Sequence, residues 1–222
     1  MNTEYMHESA QGGPPVATLA GLVLFGSAVH RFAPGAAIDL NSYPGREKGY
    51  ATRDRSELVG PLTPLGPRTA RTEGGIVEEA MSFVTRNLGV SAHIDELGRR
   101  IDRWEVPLEA VRETIVNAVV HRDYLLAGSS VEVDLYPDRL EVTSPGRLVN
   151  GITPEGMRQG VRASRNELIK DTLRDYGFLE NRGMGIAYIV IGAMRAHNGT
   201  EPELTVLDHE RFRVRLWIDP PQ

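Results

Sequence analysis

Between Glu109 and Tyr124 the chain reads EAVRETIVNAVVHRDY, and Glu113, Asn117 and His121 recur in it at every fourth position. On a helix of 3.6 residues per turn each is rotated about 40° from the last, so the three form one polar stripe. A carboxylate there can orient or deprotonate a water. One turn on, an asparagine carbonyl can ligate Mg²⁺, a hard oxygen-seeking ion, without adding negative charge beside a triphosphate. An imidazole a turn further can reach a phosphate oxygen. The stripe's neighbours are Val111, Ile115, Val116, Ala118, Val119 and Val120, and Val120 falls on nearly the same face as Glu113. Valines among polar groups suit the wall of a closed pocket better than a solvated surface. The competing reading is an ordinary amphipathic helix that turns this stripe outward.

Two further segments carry the same kind of chemistry. In Glu180 to Gly199, ENRGMGIAYIVIGAMRAHNG, Gly183 and Gly185 flank one residue and precede a helix. Such a pair lets backbone approach a ligand closely, and the helix directs N-terminal amides at an anion. Arg182 beside them has a fork that suits phosphate. A plain turn before a buried helix is the simpler account. In Glu141 to Leu148, EVTSPGRL, the choice lies between a plain Pro-Gly turn and a loop under a nucleobase, with Gly146 permitting close approach.

The elements that must position these residues follow from patterning. Thr18 to Ser27 predicts a helix and Ala36 to Tyr43 a strand, whereas residues 44–75, rich in Gly, Pro, Arg and Thr, predict an irregular connection. Ile76 to Asn87 predicts an amphipathic helix closed by Leu88-Gly89. Glu96 to Arg103 is strand-like or irregular, and Pro107 opens a helix to His121. Val131–Tyr136 and Arg139–Thr143 alternate around Pro137-Asp138 and predict a hairpin. A helix over 164–179, another from the glycine pair to Ala196, and strands at Leu204–Val206 and Phe212–Ile218 complete the pattern. Segregated elements of this kind predict a two-layer α/β sandwich, a mixed sheet with helices on one face.

The 222 residues carry no cysteine, which excludes disulfide scaffolds, thiolate metal sites and cysteine nucleophiles and fits a reducing cytosol. The net charge of −5 lacks the basic footprint of a phosphate-gripping nucleic-acid binder. The six histidines form no metal-ligand pair at helical spacing. The longest apolar run, Val16 to Val29, is too short to span a bilayer, which takes roughly 20 residues, and follows an acidic leader; neither export nor a membrane partner is expected.

In order and spacing, ETIVNAVVHRDY (113–124), TSPGRL (143–148), SRNEL (164–168) and ENRGMGI (180–186) together resemble the GHKL (Bergerat) ATPase fold. Within it, the match is similar to the RecG-related ATP-binding domain of bacterial transcriptional regulators that also carry a Schlafen/AlbA-type domain. TLAGLVLFG (18–26) resembles the segment joining those two domains. The resemblance implies a flexible tail at 1–15, an N-terminal α/β extension with linker at 16–75 and a GHKL-like domain at 76–222. It implies ATP and Mg²⁺ as ligands, Glu113 as the water-activating glutamate and Asn117 as the magnesium ligand. It places His121, Ser144, Gly146 and Arg182 at the nucleotide, with Gly183 and Gly185 closing a lid over the phosphates. Ser144 stands where the family's aspartate reads the adenine amino group, and Leu148 replaces the second glycine of that box. The implied role is an ATP-binding, slowly hydrolysing regulatory domain that meets DNA only through a separate domain and is capable of homodimerisation.

Two alternatives stand beside this one. A degenerate scaffold or dimerisation domain would keep the fold without nucleotide. A winged-helix-like DNA-binding module would use SRNELIKDTLRDYGF as a recognition helix. Against the latter, Arg158, Arg162, Arg165, Lys170, Arg174 and Arg182 are nearly balanced by Glu155, Glu167, Asp171, Asp175 and Glu180.

Overall fold

The computed structural model of the chain describes residues 4–8, 12–64, 75–94, 98–149, 151–179, 185–208 and 210–220. In chain order its elements begin with β1 (Met6–His7), β2 (Val16–Ala17), α1 (Leu19–Phe25), α2 (Val29–Phe32), β3 (Ala37–Ser42) and β4 (Asp54–Val59). Then come α3 (Ile76–Asn87), β5 (Val90–Ile94), β6 (Arg100–Trp104), α4 (Leu108–His121), β7 (Val131–Leu135) and β8 (Arg139–Pro145). The last third holds α5 (Pro154–Arg158), α6 (Glu167–Asp175), a π-helical turn (Gly185–Val190), α7 (Ile191–Asn198), β9 (Glu203–Leu207) and β10 (Arg211–Trp217).

Six strands form the main sheet in the order β4–β3–β7–β8–β10–β9. Only β3 and β7 run parallel; the other neighbours are antiparallel. Side chains alternate between faces along a strand, so register sorts them into two layers. One face carries the paired rows Ile38 and Val131, then Leu40, Val133, Val142 and Val214, nearly all fully buried. α3 and α4 cover it. The far face carries charge: Asp134 lies opposite Glu141, and Glu141 opposite Arg215. Glu141 accepts from Arg139 Nε at 2.7 Å and Arg215 Nε at 2.8 Å. The architecture is therefore the two-layer α/β arrangement with a mixed sheet that the patterning predicts. Among the described residues no helix is long and apolar enough to cross a membrane.

Helix α4 is the centre of the helical layer. The Pro107 carbonyl accepts from Val111 N at 3.1 Å, which starts the helix at a residue without an N–H of its own. Nine of its fourteen residues are buried. Its C-terminal carbonyls would be left without partners, as at any helix end. Asn166, forty-four residues past Arg122, donates from Nδ2 to Val120 O at 2.7 Å and to Arg122 O at 2.9 Å. Arg122 itself is 1% exposed and donates to the carbonyls of Asp123, Leu126 and Ser129, with its guanidinium 4.9 Å from the Tyr124 ring centroid.

Several expectations need correction. The segment 1–15 is not simply a tail: Met6–His7 pairs with Val16–Ala17, and Tyr5 packs edge-on against Phe25 at 5.4 Å. The stretch 44–75 holds strand β4, and β3 and β4 extend the same sheet as β7 to β10, so the expected boundary at residue 75 does not divide the sheet. Val90–Ile94 pairs with Arg100–Trp104 in a two-stranded arm outside the main sheet. The helix expected over 164–179 spans Glu167–Asp175, and Pro154–Arg158 adds a short one before it. The helix after the glycines opens as a π-helical turn and ends, as expected, at Gly199, whose φ of 75° is the left-handed conformation glycine accepts.

Arg122→Met removes three charge-assisted bonds and takes the donor from the carbonyls of Asp123, Leu126 and Ser129. The expected loss in urea unfolding is roughly 3 kcal/mol or more, at about 1.5–3 kcal/mol for each bond to a charged group less the apolar gain. Arg122→Lys, which lacks the planar fork, recovers only part of it. A loss below about 1 kcal/mol for the Met variant contradicts the structural role.

Candidate functional site

A cavity of about 860 Å³ opens between α4, the inner face of β8 and β10, and residues within 146–149, 152–179 and 185–188. That size suits a small-molecule ligand. Glu113, Asn117 and His121 all line it, so the stripe faces this cavity. Ser144, Gly146 and Gly185 line it as well. Arg182 and Gly183 lie outside the described residues.

At one end the geometry is tight. Glu113 is 6% exposed, and Asn117 Nδ2 donates both to its Oε1 and to its backbone carbonyl, each at 2.8 Å. With both amide hydrogens turned towards Glu113, Asn117 Oδ1 is left as an acceptor. Gly185 closes over the pair: a Cβ at this position would stand 3.0 Å from Glu113 Oε1 and 4.0 Å from Asn117 Oδ1. A side chain there would crowd the carboxylate, which would have to give by a few tenths of an ångström, so glycine suits this close approach.

The other end differs in charge from the sequence expectation. Burial, followed by repulsion from Lys170 and Arg165 and opposed by Glu167, pushes the His121 imidazole down to about 4. It is neutral at pH 7 and would meet an anion through an N–H dipole rather than a charge. Positive charge at the cavity comes instead from Arg147, Arg162 and, on α6, Lys170 and Arg174, and the spacing of the α6 pair places both on the face that lines it. Patterning missed both; the helical spacing of residues 167, 170 and 174 was the available signal. Lys170 is paired with Glu167, and Arg174 with Asp171. Ser164 also lines the cavity, and its buried Oγ has no hydrogen-bond partner in the protein, an unmet demand that a polar ligand would satisfy.

Ser144 is 7% exposed and donates from Oγ to the Ala118 carbonyl at 2.7 Å. A hydroxyl has one proton. With that proton committed, the oxygen presents only lone pairs to the cavity. Val142 and Val214, register partners on neighbouring strands, and Phe212, opposite Ser144, supply the apolar floor around it. Gly146 has a different use. Its φ is +122°, and a Cβ would lie 2.6 Å from an Arg165 nitrogen and 2.9 Å from Asp123 Cβ. The glycine lets the loop pack on the turn after α4, where Arg165 pairs with Asp123 at 2.7 Å.

The donor set fits Mg²⁺ held sparingly: one carboxamide oxygen beside one carboxylate, the rest of its shell left to water and phosphate. Among the described residues no group of three His, Cys, Asp or Glu could hold a metal by protein ligands alone. A purely structural consequence concerns pH. The unfolded state binds a proton at His121 below about 6.5 while the folded state resists until about 4, so stability falls as pH drops through that window. His121→Gln is expected to flatten this slope, narrowing the pH 7 to pH 4.5 difference in unfolding free energy by on the order of 2 kcal/mol. An identical slope in the variant contradicts the assignment.

Residues 128–216 match the family described as "Putative ATP-dependent DNA helicase recG C-terminal". No curated protein matches the chain. The crystal structure of the DIP2311 protein from Corynebacterium diphtheriae is similar over 90% of this chain, with a TM-score of 0.68 and 21% identity. The chain spans 37% of that protein's length. The family match begins after α4 and so leaves out Glu113, Asn117 and His121; from just before β7 through nearly all of β10, the chain is similar to a RecG-related ATPase-like domain.

Proposed function

We propose that the cavity binds Mg²⁺ and ATP in the manner of GHKL domains and that the chain is an ATP-binding regulatory domain of a transcriptional regulator. The observation that carries this is the convergence of Glu113, Asn117 and Gly185 at one end of a cavity whose α6 wall brings Lys170 and Arg174. The match of residues 128–216 to a RecG-related family supports it. In this reading Asn117 Oδ1 holds the metal, which would neutralise phosphate charge. Lys170, Arg174 and the neutral His121 hold phosphate oxygens. Glu113, oriented by the Asn117 amide, positions a water and takes its proton, giving slow hydrolysis.

Ser144 defines the base. Its oxygen accepts but does not donate, so it is satisfied by an exocyclic amino group at C6 of adenine and left facing the carbonyl of guanine. The cations of α6 are paired within the helix and turned to the cavity, an arrangement that suits a bound nucleotide rather than the exposed basic face of a DNA-binding module.

Calorimetry with Mg·ATP is expected to show binding that Asn117→Ala abolishes. Glu113→Gln should retain binding while phosphate release falls at least about a hundredfold, as for loss of a general base. Absence of heat with wild type at millimolar nucleotide rules out the reading in favour of a scaffold. ATP should bind more tightly than GTP, and Ser144→Ala should reduce that preference about three- to tenfold, the worth of one hydrogen bond. Equal affinity for the two nucleotides in wild type contradicts the role given to Ser144.

A further inference from the structure

Helix α6 has a second surface, away from the cavity. Glu167, Lys170 and Arg174 line the cavity; Thr172 and Tyr176 lie about half a helical turn round from them. Of all the elements, α6 packs most closely on α1. Phe25, the last residue of α1, stands 6.4 Å from the Tyr176 ring, and Tyr5 packs edge-on against the same Phe25. The Tyr5 hydroxyl lies 2.9 Å from Thr172 Oγ1. Thr172 is 5% exposed and gives its only proton to Leu168 O at 2.7 Å, so Tyr5 is the donor in that bond.

Tyr5 is itself firmly seated. Its carbonyl accepts from Thr18 N at 2.9 Å, and Thr18 Oγ1, which caps α1, donates to Glu4 O at 3.0 Å. A Cβ at Gly21 would lie 2.3 Å from the Tyr5 carbonyl oxygen, so the strand occupies space that only glycine leaves open on α1. The N-terminal strand pair, α1 and α6 thus form a continuous stack that ends at the cavity's cationic wall.

We infer that Tyr5 is a positioning residue for the cavity: through Thr172 it sets where α6 holds Lys170 and Arg174, which links ligand entry to the order of the N-terminal strand pair. The inference rests on the nucleotide reading for the ligand, though not for the contact. A ligand that draws α6 towards its phosphates in the place Tyr5 sets strengthens the Tyr5–Thr172 bond, and by linkage that bond strengthens ligand binding in equal measure.

The test uses the full chain, Tyr5→Phe, which keeps the ring on Phe25, Thr172→Val, and Tyr50→Phe at a fully exposed tyrosine as control. Amide hydrogen exchange is measured with and without a non-hydrolysable Mg·ATP analogue, alongside its affinity. In wild type the analogue should slow exchange in α6 and also at residues 4–8. Tyr5→Phe and Thr172→Val should each weaken binding about three- to tenfold, the double variant no further, since one bond is lost in every case. Protection of α6 should persist in both variants while protection of residues 4–8 disappears. Wild-type affinity in both variants, or unchanged protection at residues 4–8, overturns the inference. If wild type binds no analogue the nucleotide reading fails separately. Faster α6 exchange in the ligand-free variants then still supports the positioning role, and unchanged exchange overturns it.

Discussion

A carboxylate buried in a helix that is packed on most sides must be satisfied from within the protein or by something that enters it. Glu113 meets that constraint through the amide one turn on, and the solution propagates. Because Asn117 spends its hydrogens on Glu113, its carbonyl oxygen is oriented towards the cavity. Because the carboxylate lies against the start of the π-helical turn, a glycine there leaves it undisturbed. Because the buried positions of α4 are otherwise almost all apolar, it can lie on the sheet's inner face and set the stripe against the cavity.

The division of charge in the cavity follows from the same burial. A histidine inside the fold and near two cations gives up its proton, so the stripe on α4 is acidic and neutral. The positive charge stands on other elements, on Arg147 and Arg162 and on Lys170 and Arg174 of α6, the last two paired with Glu167 and Asp171. A ligand with a phosphate chain and a divalent ion would find complementary walls, and those walls belong to separate elements. The distance between them is then set by whatever holds α6 in place. At its N-terminal end that is Asn166 on the carbonyls of α4.

Much of this was legible in the sequence. The helix Ile76–Asn87 has the predicted ends because Glu78 returns to the Gly75 amide at one end and Leu88-Gly89 breaks the pattern at the other. The alternating hairpin of β7 and β8 was clear because one of its faces is core. Strand β4 was not, since DRSELV sits at the sheet edge and only Leu58 and Val59 are apolar. The α4 stripe could be read from spacing alone, whereas Lys170 and Arg174 were hidden by their acidic neighbours, which made α6 look like a balanced surface helix. HRDY and SRNEL stood out as motifs, yet their use is structural and long-range: Arg122 ties down the loop after α4 and Asn166 caps it. No local pattern encodes a bond across forty-four residues.

The exchange of aspartate for Ser144 is where local reading and structure diverge in meaning. By type, a neutral hydroxyl replaces a charged acceptor, which implies lost base recognition. By geometry, the hydroxyl's proton is fixed on Ala118, and what faces the cavity is still an acceptor. What the exchange removes is charge, so the contact is worth that of a neutral bond, roughly half of one to a carboxylate. On the proposed nucleotide reading, a site built this way would keep its choice of base while holding the nucleotide less tightly. Such a site stays responsive to small changes in the position of α6, because little binding energy separates its filled and empty forms.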